Sequence, residues 1–359
     1  MYLWSTQQLQ ALIDLLRARD YDVIGPAVRD DSLHYERIDS LPVGWGDRQD
    51  AGHYQLRERA DQSRFGYNLG AATWKQFLFP PRETLFRVRD GDFVNCREAP
   101  QKMAFLGVRP CELAAIALQD RVFTEDPVEP GYLARRKDLL LIAVNCSQAA
   151  PTCFCASTGD GPEVNAELPT DLVLTECEPA DPYYLVEALT QRGQDLLEEV
   201  GGSQAPASAR QTVDRLMDAT REQLTRALDT EELPGLLLGA LDHPHWDDLA
   251  QRCLACGNCT QVCPTCFCST AEDHTDPITV EVRHNRRWDS CFTQGHSYLT
   301  GSVVHRSVRS RYRQWLTHKL ASWVAQFGRS GCTGCGRCIT WCPVAIDLTV
   351  ETEALRAAP

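Results

Sequence analysis

The sequence has no apolar stretch approaching the roughly 20 residues that a membrane-spanning helix requires. It also shows no N-terminal join of a basic stretch, an apolar run and a small-residue cleavage site, so nothing signals secretion and a cytoplasmic chain is expected. No GxGxxG follows a strand-like run. Neither GxxxxGK with a following Ser or Thr nor HExxH occurs, so no nucleotide cradle or hydrolytic zinc helix can be read. Basic residues are the minority, 36 against 49 acidic for a net charge of -13, which excludes general nucleic-acid binding because that depends on neutralising phosphates.

What the sequence has in excess is cysteine, 17 in 359 residues. A reducing compartment disfavours disulfides, so metal ligation is the better account. Two runs repeat one spacing: Cys253, Cys256, Cys259, Cys263 with Pro264, and Cys332, Cys335, Cys338, Cys342 with Pro343. Each reads CxxCxxCxxxCP, the bacterial ferredoxin ligand pattern, in which three cysteines wrap one cluster and the fourth ligates the other. On that rule one 4Fe-4S cluster takes Cys253, Cys256, Cys259 and Cys342. The second takes Cys332, Cys335, Cys338 and Cys263. The rival is a pair of structural zinc sites, but zinc usually draws two ligands from each of two separated knuckles, whereas each run packs four thiolates together. Gly257, Gly334 and Gly336 suit a backbone that folds closely around a cluster.

The length allows two domains, and 43 % hydrophobic content supports sizeable cores. The expected fold is an α/β or α+β N-terminal domain with a mainly helical, ferredoxin-like dicluster domain behind it. Boundaries are expected at 1–205 for the α/β domain, 206–249 for a helical linker region and 250–359 for the dicluster domain, with the small, polar GGSQAPASA (201–209) across the first join as the linker candidate. Ser5 and Gln8 form a capping box ahead of Leu9, Leu12, Ile13 and Leu16 at helical spacing. Residues 77–95 suit strands joined at Asp90-Gly91. Met103–Val108 and 138–145 read as buried strands and Cys111–Phe123 as a helix, with further strands near Leu172 and Tyr183. Val308, Tyr312, Trp315, Leu316, Leu320, Trp323, Val324 and Phe327 make an apolar helical stripe between the runs, read as core packing.

Charge is unevenly placed. Residues 160–200 carry eleven acids and one base, whereas 283–319 carry eight bases and one acid. A solvated face accounts for most of this; arginines near an anionic cluster would also favour its reduced form.

PTCFCAS (151–157) is echoed by PTCFCST (264–270). Cys111, Cys146, Cys153 and Cys155 are therefore candidates for a third cluster, a strand end, a helix start and a CxC loop supplying the thiolates. The alternative is that they are small buried hydrophobes. Cys266, Cys268 and Cys291 pose the same question with one ligand too few, and their role stays open between a redox-active or partner-facing one and none. Cys96 and Cys177 read as inert. The His243–His245 pair is a possible metal ligand set, weighed against a polar loop that caps the next helix.

The segments FLFPPRETLF (77–86), GVRPCELAAI (107–116), NCSQAAPTCFCASTGDGP (145–162), CLACGNCTQVCPTCFC (253–268), RRWDSC (286–291) and CTGCGRCITWCPVAIDL (332–348) resemble a known family. It comprises the iron-sulfur beta subunit of cytosolic NAD(P)-linked nickel-iron hydrogenases (sulfhydrogenases) and its iron-sulfur relative in anaerobic sulfite reductase. The resemblance implies a non-catalytic electron-transfer subunit. Its partners would be two: a flavin-containing subunit that binds NAD(P), and either a nickel-iron hydrogenase or a sirohaem sulfite reductase. A reading from another class makes the chain a zinc-binding assembly module.

Overall fold

In the computed structural model, residues 1–96 and 101–356 are described. In chain order the strands used below are β1 (Tyr2–Ser5), β2 (Asp22–Arg29), β3 (Ser32–Arg37), β4 (Trp45–Asp50), β5 (His53–Glu58), β6 (Arg82–Arg89) and β7 (Asp92–Asn95). They continue with β8 (Met103–Val108), β9 (Leu140–Val144), β10 (Leu172–Cys177), β11 (Tyr183–Ala188), β12 (Ser203–Gln204), β13 (Ser269–Thr275) and β14 (Val282–Trp288). Among the described residues, eight of these form one sheet in the order β12-β1-β11-β10-β9-β8-β2-β3.

Its centre is parallel, β2 beside β8, β8 beside β9 and β9 beside β10. The central strands β8, β9 and β10 read MAFLGV, LLIAV and LVLTEC, continuous runs rather than alternations, because helices cover both faces. The capped helix Thr6–Ala18 lays Leu9, Leu12, Ile13 and Leu16 on one face, with Trp4, Leu106, Ile142 and Leu174. The opposite face packs Phe105, Leu141 and Ala143 against the helix Pro110–Thr124 and against Trp74, Phe79 and Tyr132.

The expected linker is partly strand: Ser203 and Gln204 pair with Leu3 and Tyr2. The amphipathic helix that follows spans Ala209–Arg221 and buries Val213 and Met217.

The C-terminal region, expected to be mainly helical, also contains strands. Between the two cysteine runs the chain forms the antiparallel hairpin β13–β14, and β14 continues into a second sheet of order β13-β14-β6-β7. Asp90 and Gly91, both at positive φ, turn β6 into β7 as the Asp-Gly signal predicts. The hairpin escaped notice because STAEDHT and VRHNRRW carry no apolar alternation. Tertiary pairing with β6 decides their state, not a buried face of their own. The rest of this half is helical and packs Trp246, Leu249, Tyr312, Trp315, Leu316 and Ile339 into its own core. The apolar stripe forms a helix from Val308 to Phe327, with a π-turn over His318–Ser322.

Candidate iron-sulfur centres

The two cysteine runs fold as near copies. Two residues after the first cysteine of each, Ala255 (φ 51) and Gly334 (φ 63) turn left-handed; two residues later Gly257 (φ 78) and Gly336 (φ 74) do so again. The turns aim amides at sulfur: Ala255 N donates to Cys253 Sγ at 3.4 Å and Gly334 N to Cys332 Sγ at 3.4 Å. Ile346 N donates to Cys342 Sγ at 3.3 Å. Such bonds stabilise thiolate charge and tune a cluster. Alanine suffices at 255 but not at 334, where a Cβ would stand 2.5 Å from Cys155 Cα.

Cys253, Cys256, Cys259 and Cys342 line one cavity, walled by Phe292, Tyr312 and Trp315. Cys338 lines it too, and Cys338 is within electrostatic reach of Cys332, Cys335, Cys263 and Cys259. The two predicted ligand sets therefore gather side by side.

Burial pushes the Cys332 thiol up to about 12. Cys263 behaves oppositely. A hydrogen bond from Cys266, then the charge of Lys319, holds it well below the ordinary range against its burial. Lys319 Nζ donates to Cys263 Sγ at 3.3 Å, to Thr265 Oγ1 at 2.9 Å and to the Gly331 carbonyl at 3.0 Å. Lys319 sits in the π-turn, on the buried side of the apolar stripe, and is itself buried. Sequence reasoning missed it, although a lysine four residues from both Trp315 and Trp323 is a legible anomaly on such a face.

Cys111, Cys146, Cys153 and Cys155 are brought together beside Cys335. Cys111 and Cys155 share a small core with Leu69 against which Cys335 packs. The charges of Cys146 and Cys335 bear on both Cys153 and Cys155. The fold explains the convergence: Cys111 and Cys146 lie just beyond the carboxyl ends of the adjacent parallel strands β8 and β9, where open α/β sheets place their sites. Gly107 (φ 91), at the irregularity between Leu106 and Val108, redirects β8 before Arg109 and Cys111. Burial drives Cys153 up to about 12 and also raises Cys146, which Arg109 partly offsets by charge and hydrogen bond. Thiols held protonated this way would have to release their protons to any metal they took up.

The PTCFC loop at 151–155 is fastened to the second run. Phe154 N donates to the Gly334 carbonyl at 2.8 Å, and the Thr152 and Thr340 hydroxyls meet at 2.8 Å. The echo at 264–268 carries Cys266 and Cys268 toward Cys291, with Cys268 hydrogen-bonded to Cys291 and to His296. Cys96 is half-buried at the end of β7, and Cys177 is buried with Leu185 and Val213. His245 N donates to His243 Nδ1 at 3.1 Å and His245 Nε2 lies 2.7 Å from Glu351, so the pair opens the helix His245–Arg252.

A 4Fe-4S dicluster domain family matches residues 252–346. Sulfhydrogenase 2 subunit beta of Pyrococcus furiosus is 25% identical over 342 residues, which cover 93% of this chain and 92% of that protein. The chain thus carries a 4Fe-4S dicluster domain and is similar along nearly its whole length to an iron-sulfur beta subunit. No solved structure matches it. The similarity extends well past the dicluster region and takes in the large α/β sheet as well. The dicluster domain and the similarity to this beta subunit together support an iron-sulfur electron-transfer subunit. Among the described residues no helix is long and apolar enough to cross a membrane.

Proposed function

We propose that this chain is the cytoplasmic electron relay that joins a nickel-iron hydrogenase catalytic subunit to a flavin-containing, NAD(P)-binding subunit. The observation that carries the reading is the contiguity of the cysteine groups: the first cavity and the second set share Cys338, and the second set touches the third group at Cys335. In this reading Cys253, Cys256, Cys259 and Cys342 hold one 4Fe-4S cluster, and Cys332, Cys335, Cys338 and Cys263 the next. Cys111, Cys146, Cys153 and Cys155 hold a third. Bound clusters supply one-electron steps, which lets a chain of them divide the pair carried by a flavin hydride.

The protein's part is placement and charge. Amides at Ala255, Gly334 and Ile346 steady the thiolates, and Lys319 and Arg337 offset their negative charge. The name of the Pyrococcus furiosus relative favours a hydrogenase partner over the sulfite reductase alternative. Anaerobic purification of the native complex with metal and cofactor analysis tests this. Nickel in a co-purifying partner is expected, with iron and acid-labile sulfide in this chain. A sirohaem partner would replace the hydrogenase assignment, and zinc without iron would end the relay reading.

A further inference from the structure

Cys266, Cys268 and Cys291 lacked a fourth companion in the sequence, and the fold supplies one. The register of the β13–β14 hairpin pairs Ser269 with Trp288, and Asp289 N donates to the Cys268 carbonyl at 2.8 Å. The ends of the hairpin therefore close on each other. Cys268 precedes the first strand and Cys291 follows the second, so closure puts their side chains in hydrogen-bond contact. His296, on the short turn Gln294–Ser297, hydrogen-bonds to the same Cys268 sulfur. Its Nδ1 lies 3.1 Å from Asp289 Oδ2. Cys266, two residues before Cys268, bonds through its side chain to Cys263.

A histidine set between a thiol group and a carboxylate is in the surroundings of a metal ligand, whose second ring nitrogen is usually given to such a carboxylate. The surroundings carry matching charge. The chain has only four lysines, and two of them, Lys75 and Lys319, are buried here at 4% and 6% exposure. Lys75 Nζ donates to the Cys263 and Cys266 carbonyls at 3.0 and 2.9 Å and lies 3.8 Å from the centroid of the Trp288 ring. Lys319 Nζ is bound to Cys263 Sγ. Burying two ammonium groups is costly unless negative charge answers them. Among the described residues no three His, Cys, Asp or Glu side chains crowd onto one ion-sized position. A cubane instead sets its four ligands around a larger body.

We propose that Cys266, Cys268, Cys291 and His296 ligate a further 4Fe-4S cluster, with Asp289 orienting His296. The proposal rests on the relay reading and deepens it. The new centre adjoins the second cluster through the Cys263–Cys266 contact, whereas the N-terminal group adjoins it through Cys335, so the wire forks at the second cluster. The step is a one-electron exchange: the neighbouring cluster is oxidised as this one is reduced, with no bond made or broken. Replacing thiolate by imidazole raises a cluster's potential, so this arm holds an electron more readily than an all-cysteine cubane would.

The test uses the full chain, purified anaerobically with its native partners, as wild type, Cys268→Ser and His296→Cys. Iron, acid-labile sulfide and zinc are counted, and a redox titration is followed by electron paramagnetic resonance. Cys268→Ser is expected to lose about four irons and four sulfides while the other clusters keep their signals. His296→Cys is expected to keep its iron and lower one potential alone. An unchanged iron count in Cys268→Ser, zinc lost in place of iron, or a Cys268–Cys291 disulfide in the wild type would overturn the proposal. Should Cys268→Ser shed all its iron through misfolding, His296→Cys decides: one shifted potential supports the site and unmoved potentials refute it. Iron that stays the same across all variants defeats this centre alone, whereas a wild-type chain without iron defeats the relay reading as well.

Discussion

Arg337 and Glu112 form an ion pair at 2.7 Å with each side chain only 1% exposed. Arg337 lies inside the second cysteine run, between Cys335 and Cys338, and Glu112 follows Cys111 on the helix Pro110–Thr124. The pair therefore locks the dicluster loop to the α/β sheet at the place where two cysteine groups meet. Arg337 also donates to the Gly70 and Ala72 carbonyls, and Glu112 also accepts from Tyr35 and Trp74, each at 2.9 Å.

Breaking one side of such a pair strands a buried charge. Glu112→Gln is expected to cost about 3 kcal/mol. Glu112→Leu is expected to cost roughly 2 kcal/mol more, because the Tyr35 and Trp74 donors also lose their acceptor. Denaturant unfolding of the iron-loaded protein measures both, and equal costs for the two variants would count against the acceptor role.

Gly334 stands where a Cβ would meet Cys155 Cα at 2.5 Å and the Phe154 carbonyl carbon at 2.6 Å, on a backbone with φ 63. Gly334→Ala must push the 151–155 loop away, so iron bound at Cys332, Cys335, Cys338 and Cys263 and at the N-terminal group is expected to fall together. Ala255→Gly, at the matching position of the first run, is expected to leave the iron count intact. Iron and sulfide assays on both variants give the comparison, and full loading of Gly334→Ala would show that the loop approach is dispensable.

Lys319→Met removes a positive charge at Cys263. At an effective dielectric near 20, the loss of one unit charge close to a cluster is worth about 3 kcal/mol, or on the order of 100 mV. Less positive charge disfavours the reduced, more anionic cluster, so one potential should fall by roughly that amount. A redox titration reads it; a rise, or no change, would rule out the compensating role. Lys319→Arg should restore most of the potential.

Removing iron should affect the two halves unequally. Cys253, Cys259, Cys338 and Cys342 pack against the core that holds Trp246 and Trp315, whereas the sheet core around Trp4, Leu106 and Ile142 contains no cysteine of the runs. Metal-ligand energy in such a site is folding energy. Chelation is expected to open 250–356 to proteolysis, together with the cysteine loop 145–162 that is fastened to the second run and the hairpin β6–β7 that leans on β14, while the strands and helices of the sheet core stay protected. Uniform protection after complete iron loss would contradict this.

Residue order was enough to point to iron-sulfur chemistry in the ferredoxin runs and to four of the eight strands of the large sheet, β8 to β11. Ligand spacing, turn residues and apolar runs are local, and a local signal survives without the fold: the Ser5–Gln8 cap, the Asp90-Gly91 turn and the run LLIAV each formed as their residues dictate. The hairpin β13–β14 needed tertiary structure, since its polar strands take their state from β6. So did the meeting of Cys111, Cys146, Cys153 and Cys155, because the carboxyl ends of β8 and β9 become neighbours only when those strands pair. The same holds for Lys75, Lys319 and His296. Their meaning lies in what burial sets beside them, and a residue's spacing along the chain carries no record of that.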